Sequence, residues 1–131
     1  MAGYSKRSLP EKLGIKEGTE IGIVNPPPDY DQTLTPLPEG VSRVKKLKPS
    51  MAFIHFFTKQ QKELLKRFPD LKKHLAPKGI LWISWPKGSS KVKTDLNGNI
   101  VRNIGIANGM VDIKVCAVDE IWSGLRFAFR R

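Results

Sequence analysis

Two short apolar runs, Met51 to Phe57 (MAFIHFF) and Ile80 to Trp85 (ILWISW), flank a segment whose leucines recur every three or four residues. Strands this poor in polar positions are buried on both faces, as strands at the centre of a parallel sheet are. A helix joining two of them requires a right-handed crossover and leaves them parallel. The connecting helix is predicted from Thr58, whose hydroxyl offers an N-cap, through Ala76. Its apolar stripe is Leu64, Leu65, Phe68, Leu71 and Leu75. Pro69 has no amide hydrogen to give, so a kink or restart is expected there. Pro77-Lys78-Gly79 then turns the chain into the second run.

The remainder fits around this unit. Ser8-Leu9-Pro10-Glu11 has capping-box spacing, and Gly14 is placed to stop a single helical turn. Thr19 to Asn25 reads as a strand. Pro26 to Gly40 holds five prolines, which exclude a regular helix of any length and leave Tyr30, Leu34 and Leu37 to close on the core as one irregular turn. Val41 to Leu47 reads as an edge strand guarded by lysines. After the polar stretch Pro86 to Asp95, Asn97 caps a helix carrying Ile100, Val101, Ile104 and Ala107, which Gly109 ends. Val111 to Val118 and Leu125 to Phe129 alternate about a turn at 119–124 and predict an antiparallel hairpin. The whole reads as a single α/β domain over 1–131, a mainly parallel sheet of about six strands with an antiparallel C-terminal hairpin. That architecture resembles a Rossmann-like methyltransferase domain, truncated because its first strand–helix unit has shrunk into proline-rich loop.

Residue counts exclude several classes. The chain has 131 residues, and one cysteine, Cys116, cannot form an internal disulfide. Two histidines, His55 and His74, cannot build a histidine-rich metal site. No apolar run approaches the ~18 residues of a membrane helix. Lys6 and Arg7 are not followed by an apolar stretch, so no secretory leader is expected and the cytoplasm is the expected compartment. The strongest global feature is charge, with 23 Lys and Arg against 12 Asp and Glu, a net +11. It clusters at Arg43-Lys45-Lys46-Lys48, at Lys59-Lys62-Lys66-Arg67-Lys72-Lys73 and at Lys87-Lys91-Lys93. Such a field predicts incidental affinity for polyanions and leaves a nucleic-acid-associated role open. The helix lysines also lie opposite the leucines, where any solvated helix carries charge, and no nucleic-acid-binding motif is legible.

Specific strings add a resemblance. Leu81-Trp82-Ile83-Ser84-Trp85-Pro86-Lys87, then Ser90, Thr94-Asp95-Leu96, and the long stretch from Val111-Asp112 through Asp119-Glu120 and Trp122-Ser123-Gly124-Leu125 resemble small bacterial proteins of domain-of-unknown-function family 3052. Lys12-Leu13-Gly14-Ile15-Lys16-Glu17-Gly18 continues the likeness upstream, whereas the three successive prolines within Asn25 to Tyr30 depart from it. The resemblance implies a small cytoplasmic α/β protein and no reaction, so it transfers no catalytic residue.

Methyl transfer is the first chemistry to test against this architecture. Its cofactor would need a glycine-rich turn after the first strand, where Asn25-Pro26-Pro27-Pro28 offers no glycine and no amide hydrogen at three positions. The next strand ends in Lys46, Leu47 and Lys48, with no acid to hold ribose hydroxyls. S-adenosylmethionine or a dinucleotide is therefore not expected, and no cofactor or metal is assigned. Cys116 reads as a small apolar strand residue, His55 as a hydrogen-bonded core residue, and His74 as a solvated group near a helix end.

Ligands of such sheets gather outside the carboxyl ends of the strands. Four loops are predicted to meet there: Asn25 to Asp31, Thr58, Trp85 to Asp95, and Asp119 to Ser123. They bring forward Lys87, Ser89, Ser90, Thr94, Asp95, Asp119, Glu120, Trp122 and Ser123. In the ligand reading, Lys87 and the two serines hold an anion, Asp119 and Glu120 orient the lysine or act as acid and base, and Trp122 provides a flat wall. In the plainer reading, Thr94 and Asp95 cap a helix, Asp119 sets a turn and Lys87 pairs with Glu120. Three classes stay open: a binding or accessory module for a small anionic ligand or a protein partner, with no membrane partner; an enzyme using Lys87, Asp119 and Glu120; and a nucleic-acid-associated protein.

Trp82 and Trp85, three apart on one strand, must point to opposite faces. Trp82→Ala is expected to cost about 3–5 kcal/mol and to unfold a domain of ordinary stability. A soluble variant melting within a few degrees of wild type would contradict the strand assignment.

Overall fold

The computed structural model describes residues 8–130; Lys6 and Arg7, on which the leader reading drew, lie outside them. Helix α1 (Leu9–Leu13) starts with the Ser8–Glu11 capping box and ends at Gly14 in the left-handed region, φ +88°. Strand β1 (Glu20–Val24), the short helix α2 (Tyr30–Leu34) and strand β2 (Ser42–Val44) follow. Then come β3 (Met51–Phe57), α3 (Gln61–His74), β4 (Leu75–Pro86), α4 (Gly98–Ala107), β5 (Met110–Ala117) and β6 (Trp122–Phe129).

One sheet of six strands runs in the order β2-β1-β3-β4-β6-β5. The first four are mutually parallel, and β6 is antiparallel to both its neighbours, so β5 runs parallel to β4. Alternation along the strands separates two cores. On one face Ile54, Phe56, Leu81, Ile83, Trp85, Leu125 and Phe127 pack with Leu64, Phe68 and Leu71 of α3 and Val101 and Ile104 of α4. On the other, Ile21, Phe53, Phe57 and Trp82 pack with Leu13, Ile15, Tyr30 and Leu34 from the α1 and α2 region. The two tryptophans therefore part as the pleat requires, and the Trp82 indole N–H donates to the Leu13 carbonyl at 2.8 Å. Burying one such large apolar side chain stabilises the fold by roughly 1.5–3 kcal/mol.

Several expectations are corrected. Thr58 does not cap α3; the helix begins three residues later, and the amide of Gln61 donates instead to Asp95 Oδ1 at 2.7 Å. Helix α3 ends at His74, and Leu75 and Ala76 already belong to β4. It passes Pro69 without a restart. The carbonyl that loses its partner there belongs to Leu65, and both residues are exposed, so the loss falls on the solvent side. Leu65 leaves the apolar stripe, 53% exposed, because Leu64, Phe68, Leu71 and Leu75 already fill the contact. Pro77-Lys78-Gly79 lies inside β4: Met51 pairs with Leu75 and Phe53 with Ile80, so these residues belong to an irregularity rather than a turn before the strand. The proline-rich stretch does hold one short helix, α2, in the proline-free gap between Pro28 and Pro36. Tyr30 and Leu34 reach the core from it, whereas Leu37 stays exposed. The edge strand keeps only Ser42–Val44. Gly109, at φ +83°, follows the capping residue Asn108 at the end of α4.

Helix α4 comes so close to β6 that a Cβ on Gly105 would sit 2.0 Å from the Phe127 ring. Gly105→Ala is expected to force α4 off the sheet and cost at least about 1–3 kcal/mol by overpacking. Gly88→Ala, where a Cβ meets nothing within 4 Å, is the control. Thermal melts of the two variants check this; equal midpoints would refute the packing.

Candidate functional site

After β1 the chain visits β2 on one side, then crosses back to β3 on the other. The loops leaving β1 and β3 therefore diverge at their carboxyl ends and open a crevice between them. A cleft of about 550 Å³ lies there. Its walls are Asn25 to Asp29 after β1, Phe57 to Gln60 after β3, Glu63 on α3, Val92, and Ile121 with Trp122. Its volume and largely apolar lining are those of small-molecule sites.

Asn25 turns the chain out of β1 with φ +57°, a left-handed conformation that Asn tolerates better than most residues. The turn aims its side-chain amide at α3, where Nδ2 donates to Glu63 Oε2 at 3.3 Å. From the end of β3, the Thr58 hydroxyl donates to Glu63 Oε1. Glu63 thus has one carboxylate oxygen tied to each of the two strand ends that form the crevice. Lys59 supplies a positive charge on the same rim, and Asp29 a second negative one.

The floor is aromatic. Phe57 meets Trp122 edge to face at 5.2 Å, and behind it stand Tyr30, edge-on at 4.8 Å, and His55, stacked at 4.1 Å. His55 Nδ1 is 2.7 Å from the Tyr30 hydroxyl, and Nε2 is 2.7 Å from Ser84 Oγ. A serine beside a histidine has the spacing of a nucleophile and its base. Here Tyr30, His55 and Ser84 are all essentially inaccessible, and none of them lines the cleft. Burial pushes the Tyr30 phenol up and holds His55 down to about 3, so the imidazole is neutral. The trio is a polar tie between β3, β4 and α2.

The four loops do share this edge of the sheet. Pro86 pairs with Trp122, and the Lys87 amide donates to the Ile121 carbonyl at 2.8 Å. Of the nine residues read from sequence, however, Trp122 lines the cleft and the other eight lie outside its lining. Ser90 Oγ donates to the Lys87 carbonyl at 2.7 Å, and the Thr94 hydroxyl to the Lys59 carbonyl at 2.6 Å. Asp95 caps α3, and Asp119 accepts the Ile121 and Trp122 amides, each at 2.8 Å. Ser123 pairs with Trp85 and Ala117, and Ser89 and Glu120 are exposed. No ion pair joins Lys87 to Glu120 among the described residues. Asn25, Lys59, Gln60 and Glu63 were missed as contributing side chains. The first three follow strand ends and could have been found by the carboxyl-end rule; Glu63 sits one turn into a helix, and nothing local marks it.

Among the described residues no group of three or more His, Cys, Asp and Glu could hold a metal ion, and no helix is long and apolar enough to cross a membrane. No family model and no curated protein matches the chain. Solved structures do. A SAM-dependent methyltransferase from Aquifex aeolicus superposes with TM-score 0.60 at 16% identity over 89% of this chain and 85% of that one. Magnesium protoporphyrin IX methyltransferase from Synechocystis, solved with bound SAH, gives 0.60 at 9% identity over 87% and 75%. The fold is the Rossmann-like fold of these methyltransferases.

His55 makes stability depend on pH. The unfolded ring takes a proton near pH 6.5 and the folded one only near 3, so stability is full above 6.5 and falls as the pH drops between the two. Wild type is expected to lose about 2 kcal/mol from this residue between pH 7 and 5. His55→Gln should flatten the melting temperature over that range. Should the variant fail to fold, the wild-type imidazole can be followed by NMR; a ring that protonates near pH 6 while the chain stays folded would refute the account.

Proposed function

We propose that this chain is a non-catalytic binding module that holds a small organic ligand in the cleft at the switch point. The observation that carries the reading is the Glu63 carboxylate, tied to both strand ends above an aromatic floor. A carboxylate whose remaining lone pairs face a mostly apolar cleft suits a ligand with a flat ring and hydroxyl or amine donors. The anion expected from sequence would meet Lys59 here, but also Glu63 and Asp29, so the rim favours donors over a bare anion.

The cofactor in the neighbours' descriptions does not fit these residues. The turn after β1 is Asn25-Pro26-Pro27-Pro28, and three imides have no N–H with which to cradle a polar tail. Lys45, Lys46, Leu47 and Lys48 follow β2, with no acidic side chain among them. S-adenosylmethionine also carries a sulfonium and an ammonium against one carboxylate, and this net positive charge would approach a chain of charge +11. The enzyme reading through Lys87, Asp119 and Glu120 is less well supported, because Asp119 is already committed to two backbone amides. We further propose that the chain belongs to domain-of-unknown-function family 3052, a resemblance that implies no reaction.

Amide NMR of labelled protein tests this with two probes. Uridine, a flat ring with ribose hydroxyls, is expected to move the amides of Asn25, Thr58, Gln60 and Glu63, while S-adenosylmethionine leaves them in place. Unmoved amides with uridine, or saturable movement with S-adenosylmethionine, would overturn the proposal.

A further inference from the structure

A second hollow of about 620 Å³ adjoins the cleft and shares Asn25 with it. It lies between the carboxyl ends of β1 and β2 and the flank of α3, and its cations are Lys45, Lys46, Arg67 and, when protonated, His74. Two cations beside the hollow are already paired. Arg43 and Lys48, on either side of the lysine pair in sequence, are neutralised by Asp31 and Glu20. Among the described residues Lys45, Lys46 and Arg67 make no ion pair. The hollow's one carboxylate, Asp70, faces His74, whose Nδ1 is 3.7 Å from Asp70 Oδ1. Arg67 is held in place, with its guanidinium 5.5 Å from the centre of the Phe56 ring. Cations that converge on a concavity focus the field far more than the same charges spread on a convex helix face.

We infer that Lys45, Lys46 and Arg67 bind the phosphoryl groups of a ligand whose ring and hydroxyls occupy the adjoining cleft, which makes that ligand a nucleotide such as a nucleoside diphosphate. The inference rests on the cleft reading above. It orders the two hollows chemically: a flat ring against Trp122 and Phe57, hydroxyls toward Glu63, and anionic oxygens past Asn25 to the cations. The polar tail thereby leaves over the basic hollow instead of through the proline turn, which has no amide to give it. Guanidinium and ammonium groups suit this task because charge-assisted hydrogen bonds to phosphate are the stronger class.

Calorimetry at near-physiological salt with uridine, uridine diphosphate and pyrophosphate tests it. Uridine diphosphate is expected to bind roughly tenfold or more tightly than uridine. Pyrophosphate should compete with it. Lys45→Gln/Lys46→Gln, at two exposed positions outside the cleft, should remove most of the diphosphate's advantage over uridine, Arg67 remaining, and leave uridine unchanged. Equal binding of uridine and its diphosphate would overturn the phosphoryl assignment while the cleft reading stood. Binding of pyrophosphate alone would defeat the cleft reading and the nucleotide with it. A single-stranded oligonucleotide that bound more tightly than the diphosphate, and was weakened by Lys62→Gln/Lys66→Gln on α3, would overturn the inference in favour of nucleic acid.

Discussion

The pairing of β3 with β4 is the interaction on which the rest depends. Both strands are buried on both faces, and each contributes to both cores: Phe56, Ile83 and Trp85 to one, Phe53, Phe57 and Trp82 to the other. A parallel pair cannot be closed by a tight turn, so α3 must cross over one face, and its Leu64, Phe68 and Leu71 then cover that face. Among the described residues the opposite face has no long helix. It is closed by α1, by Ile15 and by Tyr30 and Leu34 of α2, anchored through the Trp82–Leu13 and Tyr30–His55 hydrogen bonds.

That asymmetry shapes the functional edge. Because the connection after β1 is rich in proline, it holds only the five-residue α2 among the described residues, and the space at the carboxyl end of β1 is a cleft walled by Pro26 to Pro28. The same economy leaves the flank of α3 uncovered beside β2, which opens the basic hollow. A frame shared with methyltransferases at under 20% identity carries, at its switch point here, a proline turn and the Asn25–Glu63–Thr58 contacts. Fold likeness carries the frame, and chemistry has to be argued from the side chains placed on it.

Local pattern was sufficient for the long elements. The apolar runs, the stripe of α3, the Asn97 cap and the alternation of the final hairpin were legible because each depends on neighbours within a few residues. Thr58 shows where such reasoning stops. A hydroxyl just before a helical pattern reads as its cap, yet Asp95, distant in sequence, reaches the Gln61 amide, and the Thr58 hydroxyl turns to Glu63. Leu37 and Leu65 fail for a related reason: apolar character says that burial is favourable, but contact geometry decides which side chains find room.

The amino-acid sequence by itself determined the α/β class, the parallel crossover, the antiparallel hairpin, the separation of the two tryptophans and the edge of the sheet at which loops collect. These follow from periodicity, chain direction and the two faces of a pleated strand. Only the tertiary structure decided which side chains line that edge. It committed Asp95, Asp119, Thr94 and Ser90 to holding loops and left Asn25, Thr58 and Glu63 to shape the cleft. A carboxylate or hydroxyl has the same donors and acceptors whether it serves a backbone amide or a ligand, and only the partners brought near it by the fold distinguish the two uses.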